Sequence, residues 1–232
     1  MGLGKKVYYE LIERENNIRL AYDCLDNISS NIFQLISMQT YIDKFVRLVT
    51  IEFGSDQEIL VTTRTSISYA NLKEGVTYYS SNPRFIYEKD ARSHKNLEFR
   101  IDGIDYTEQV RHEIVHVEEK RWPFIVRNNL PLKELMDNKV EVLHKPQYLT
   151  QINKFYQLHQ IIYPCRDYQI NVLLKNNLDK KYTIAMGSFF PFNTLSYKNF
   201  RSEQRNDDLY QVHIPKWTLP GSGYSFTIQK HN

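Results

Sequence analysis

The chain reads as an α+β protein: an N-terminal helical segment followed by a mainly antiparallel β-sandwich-like or open-barrel domain. Three observations lead there. Apolar side chains recur every three or four residues up to about residue 46, and every two residues afterwards. Seventeen Tyr and twelve Phe favour pleated surfaces, where aromatic rings pack well. Short β-rich runs are punctuated by Gly, Pro, Asn and Asp, with few helical stretches between them.

The helical segment is expected over residues 1–48, as one helix or a helical hairpin. Leu11, Ile12, Ile18, Tyr22, Leu25, Ile28 and Ile32 step by threes and fours along one stripe. A second set, Ile32, Leu35, Ile36, Met38, Ile42, Phe45 and Val46, continues it or folds back near Ser29-Ser30. No Pro or Gly interrupts residues 5 to 53. Such a stripe either packs on the following domain or joins two copies of the chain as a coiled coil, so a homo-oligomer through this helix is one expectation.

The β-rich domain is expected over residues 49–232. "FVRLVTIEF" and "EILVTTRTSISYA" are dense in Val, Ile and Thr. "LEFRIDGIDY" predicts a hairpin, because Asp102-Gly103 supplies the positive φ angles that a two-residue turn demands. "PFIVR", "KVEVLH", "YQINVLL", "KKYTIAM", "LYQVHI" and "YSFTIQK" are further strand candidates. The last follows "PGSG", where Pro220 sets φ and Gly221 accepts a left-handed conformation.

Composition narrows the function classes. Hydrophobic residues at 41% and charged residues at 25% exclude a disordered or collagen-like chain. No apolar run approaches the ~18 residues needed to span a bilayer, so no membrane partner is expected. Cys24 and Cys165 lie far apart, and Met1-Gly-Leu-Gly-Lys-Lys has no apolar core of a signal peptide behind it. Together they point to free thiols in a cytoplasmic setting. The net charge of +3 is low for nucleic-acid binding. From residue 151 onward, however, ten basic residues face five acidic ones, a bias that attracts anions.

One short motif spells a chemistry. His112-Glu113-Ile114-Val115-His116 matches H-E-x-x-H, which on a helix places two imidazoles on one zinc with Glu113 as general base. A zinc metallohydrolase is therefore the alternative reading, with zinc as its cofactor. On a strand the same histidines stand about 13 Å apart, too far to share an ion. Four of the eight residues Val110–Val117 are β-branched, which favours the strand, although Asp105 and Glu108 have the spacing of a capping box. On a helix, moreover, Val110, Ile114 and Val117 would form the buried stripe and turn both histidines outward. The expectation is a strand without metal.

The favoured reading is a non-enzymatic binding or sensing module that recognises a protein or small anionic ligand through loops. "SFFPFNTLSYKNF" gathers aromatics where the periodicity lapses, and Trp217 follows in "IPKWTLPGSG". Phe189, Phe190, Tyr197 and Trp217 are the candidate stacking residues, with Arg201 and Lys216 as anion partners. No nucleophile elbow, phosphate loop or cysteine motif suggests an enzyme.

Overall fold

Strict alternation of buried and exposed side chains organises the molecule around one large sheet. The computed structural model describes residues 40–54, 57–70, 78–118, 122–131, 139–189, 203–206, 208–214 and 217–230. Of these, 68% are strand and 10% helical, so the fold is mostly β and not the expected α+β. Residues 1–39, which carry most of the expected helical segment, lie outside the described residues. The remainder of that segment is corrected: Tyr41 to Leu48 are extended, within β1 (Tyr41–Phe53).

The reason is a bulge. Pairing between β1 and β2 (Glu58–Ala70) shifts register between Ile42 and Lys44. This turns both Ile42 and Phe45 inward, three residues apart, as on a helix. Beyond the bulge the two-residue period returns, with Val49 and Ile51 fully buried.

The remaining strands are β3 (Tyr78–Ser81), β4 (Arg84–Phe85), β5 (Lys95–Ile101), β6 (Ile104–Asp105), β7 (Arg111–His116) and β8 (Phe124–Pro131). β9 (Lys139–Gln151), β10 (Tyr156–Gln160), β11 (Tyr168–Lys175) and β12 (Tyr182–Phe189) follow. β13 (Glu203–Asn206), β14 (Leu209–Ile214) and β15 (Gly223–Lys230) complete the set. The α-helix found among the described residues, α1 (Glu88–Ser93), is under two turns long.

The main sheet runs β13-β14-β11-β1-β2-β9-β5-β6. Its pairs are antiparallel except β1 with β11, which are parallel. One face presents Phe45, Val49, Ile51, Val61, Thr65, Phe99, Ile101, Val142 and His144, all buried. Two smaller sheets contribute packing to that core. In β10-β15-β12, Tyr224 packs on Tyr168 and Tyr182 stacks on Phe53 at 4.7 Å. β8 is flanked by β3 and β4 on one edge and β7 on the other, and Phe85 meets Tyr148 of the main sheet edge-on at 5.1 Å. Each fully enclosed Ile or Phe contributes about 1.5–3 kcal/mol through removal from water.

Turn chemistry is as expected at two places. Asp102 (φ 48°) and Gly103 (φ 81°) close the β5–β6 hairpin. Gly221 adopts φ 86° after Pro220, with Ser222 donating to the Leu219 carbonyl. Asp105 behaves differently from a helix cap: its carboxylate accepts from the Thr107 backbone and hydroxyl, over a single 3-10 turn. Those two bonds hold its pKa below the usual carboxylate value, and β7 begins directly after the turn.

Candidate functional site

The H-E-x-x-H segment is strand β7, paired residue for residue with β8. His112 lies opposite Asn128 and His116 opposite Phe124, four strand positions apart. The chelating geometry of a zinc-peptidase helix is therefore missing, and Glu113 stands exposed opposite Arg127. Among the described residues, no group of three His, Cys, Asp or Glu side chains is arranged to hold a metal ion.

His112 has another role. Its Nδ1 lies 3.1 Å from Oδ1 of the fully buried Asn128. That oxygen also accepts from Asn96 Nδ2 at 2.9 Å, while Asn128 Nδ2 donates to the Ser81 carbonyl. Asn96 Oδ1 in turn lies 2.9 Å from His144 Nε2. Since both amide oxygens accept, the protons sit on His112 Nδ1 and His144 Nε2. The chain of bonds links β7 and β8 to β5 and β9 through an otherwise apolar interior.

A bulge makes the link reach. The β5–β9 pairing shifts register between Asn96 and Glu98, which places Asn96 opposite Pro146 on the buried side. Replacing Asn128 by Ala removes three bonds and strands Asn96, His112 and the Ser81 carbonyl. A loss of about 3 kcal/mol is expected, measured by urea unfolding at neutral pH.

His94 stacks on His112 with centroids 5.3 Å apart, and the edge of Phe85 meets its ring. It is buried, and neither of its ring nitrogens has a hydrogen-bond partner. Burial, with the neighbouring His112, brings its pKa down to about 4. Burial, with His94 and Arg47, brings His144 to about 3. Both imidazoles are neutral at physiological pH and serve the structure.

A concave site among the described residues lies at the end of this region. A cleft of about 50 Å³ is lined by Arg84, Phe85, Ile86, Tyr87, Asp90, Trp122, Tyr148, Thr150, Lys154, Phe155 and Tyr156. β4 and the start of α1 form one wall. The end of β9 and the 3-10 turn Ile152–Lys154 form another. Asp90 Oδ2 accepts from the Thr150 hydroxyl at 2.7 Å. Lys154 Nζ sits 3.9 Å from the centre of the Tyr87 ring and has no carboxylate partner among the described residues. The site thus offers aromatic surface and an ammonium group whose charge is balanced only by a ring face.

Trp217, a residue singled out by sequence, does not line this cleft. Trp217 is 55% exposed and meets Tyr41 edge-on at 5.3 Å. Phe189 ends β12 opposite Gly223. Phe190, Tyr197, Arg201 and Lys216 lie outside the described residues. The cleft residues escaped the sequence reading because they come from four separated segments, with no spacing that joins them. Cys165 is a buried free thiol whose pKa burial pushes up to about 12, while Cys24 lies outside the described residues.

No protein family and no curated protein sequence matches the chain. Solved structures with related strand arrangements exist at low identity. A candidate protease from Parabacteroides distasonis shares 9% identity at TM-score 0.47, covering 81% of this chain and 40% of that one. The M1 zinc metallopeptidase of Deinococcus radiodurans shares 8% at TM-score 0.40, covering 82% and 42%. A candidate nutrient-binding protein from Legionella pneumophila shares 5% at TM-score 0.36, covering 82% and 67%. The chain thus spans about two fifths of the length of the first two. These likenesses assign it no activity. No helix among the described residues is long and apolar enough to cross a membrane.

Proposed function

We propose that the chain is a non-enzymatic recognition module whose cleft takes a small anionic group carried on an apolar body. The observation that supports this most is Lys154, a half-buried ammonium against the Tyr87 ring and ion-paired to no carboxylate among the described residues. An anion entering the cleft meets the Lys154 ammonium, while the lining carboxylate, Asp90, already accepts from Thr150. Trp122 and Tyr156 offer aromatic surface for the rest of the ligand, while Phe85 and Phe155 are buried.

N-acetylphenylalanine is a suitable probe, with its carboxamide as the uncharged control. Calorimetry is expected to show binding of the acid that is at least tenfold tighter than of the amide, weakening as salt is added. Lys154→Met should abolish that preference while leaving the urea midpoint within error. Equal binding of acid and amide, or binding indifferent to Lys154→Met, would refute the reading.

Trp217 carries a second proposal, for a partner protein. It is 55% exposed beside Tyr41, and Trp is among the residue types enriched at the energetic centre of interfaces.

A further inference from the structure

We infer that the ligand of this cleft is an extended peptide that adds as a strand to the edge of β10 that has no partner among the described residues, with its C-terminal carboxylate at Lys154; this rests on the anionic reading above.

β10 is the outer strand of its sheet and pairs only with β15 among the described residues. Its opposite edge offers backbone N–H and C=O groups to an incoming chain. "YQLHQ" contains neither Pro nor Lys, residues that commonly protect such edges. Tyr156 and Leu158 are 50% and 52% exposed, while Gln157 and His159 between them turn inward. An added strand therefore finds two apolar side chains at alternate positions on one face, the arrangement that strand-addition sites use for specificity.

The cleft adjoins this edge. Lys154, Phe155 and Tyr156 line it, and Tyr156 is the first residue of β10. Strand polarity then selects the end of the peptide. An antiparallel addition runs opposite to β10 and brings its C-terminus to Tyr156, next to Lys154. A parallel addition would bring an N-terminal ammonium to the Lys154 ammonium, which disfavours it. Charge and direction agree on a free carboxylate.

The experiment uses the full chain immobilised on resin and three pools of acetylated random hexapeptides. One pool ends in a carboxylate, one in a carboxamide, and one ends in a carboxylate but is N-methylated at alternate residues. The retained peptide is quantified by mass spectrometry. Retention of the first pool is expected to exceed the second at least tenfold, and Lys154→Ala should erase that difference. The N-methylated pool should be retained at least tenfold less than the first, because its amides cannot pair with the edge. Hydrogen exchange at Tyr156–Gln160 should slow when the first pool is bound.

Retention of the N-methylated pool equal to the first would overturn strand addition. If N-acetylphenylalanine still prefers the cleft as acid over amide, the anionic reading survives that result. No retention of any pool, or equal retention of acid and amide pools, overturns the peptide assignment. Failure of N-acetylphenylalanine as well removes the cleft reading with it.

Discussion

Lowering the pH from 7 to 5 is expected to cost the fold about 4 kcal/mol, a large fraction of the stability of an ordinary domain of about 5–15 kcal/mol. The cause is a set of imidazoles buried in the neutral form. His94 and His144 titrate near 4 and 3 in the folded chain, against 6.5 for an ordinary imidazole. The native state therefore binds fewer protons than the unfolded chain between these values, and acid favours unfolding. The stabilisation is complete above about pH 6.5 and is lost as the pH falls through the folded values. At pH 5 each of the two contributes about 2 kcal/mol of that loss. His159, buried among aromatics near Arg47 and with Nδ1 3.1 Å from the Tyr168 hydroxyl, is held well below its usual value and acts in the same direction.

Urea midpoints at pH 7 and pH 5 measure this directly. An unchanged midpoint would show that these histidines are not held neutral. His94→Phe should remove about 2 kcal/mol of the sensitivity. It should leave stability at pH 7 nearly unaltered, since His94 makes no side-chain hydrogen bond to lose and a phenyl ring keeps the contacts to Phe85 and His112.

Phe45→Ala is expected to destabilise the protein by about 4 kcal/mol, lowering the melting temperature by roughly 10 °C. The Phe45 ring is stacked on His159 at 4.8 Å and on Tyr168 at 5.1 Å, and the Arg47 guanidinium lies 5.3 Å from its centre. Truncation opens a cavity where the main sheet meets β10 and β15. It also strips apolar cover from Arg47, which donates to the Thr65 and Tyr224 hydroxyls. Phe45→Leu, which retains most of the volume, should lose less than about 1.5 kcal/mol. Equal losses for the two substitutions in chemical denaturation would contradict the packing described.

Local patterns made much of the β architecture legible. All nine strand candidates read from alternation and β-branched residues are strands, because a half-buried strand must alternate whatever its neighbours are. Asp102-Gly103 fared as well, since positive φ at two successive residues is a local demand. Where β pairing is irregular the pattern misled. The bulge after Ile42 gives Ile42 and Phe45 a helical spacing inside a strand, and only the partner strand creates a bulge. β10 was overlooked because Tyr-Gln-Leu-His-Gln has no β-branched residue; it is extended through its pairing with β15 and the contacts of His159.

By itself, then, the sequence determined the extended segments, their tight turns and the strand nature of the H-E-x-x-H spelling. These depend on backbone preferences within a few residues. Tertiary structure alone decided that His112 meets Asn128, that a bulge turns Asn96 toward His144, and that Lys154 rests on Tyr87 in a cleft. Each of these contacts joins segments separated by 16 to 67 positions, and their encounter follows from sheet order and register, which no local spacing encodes.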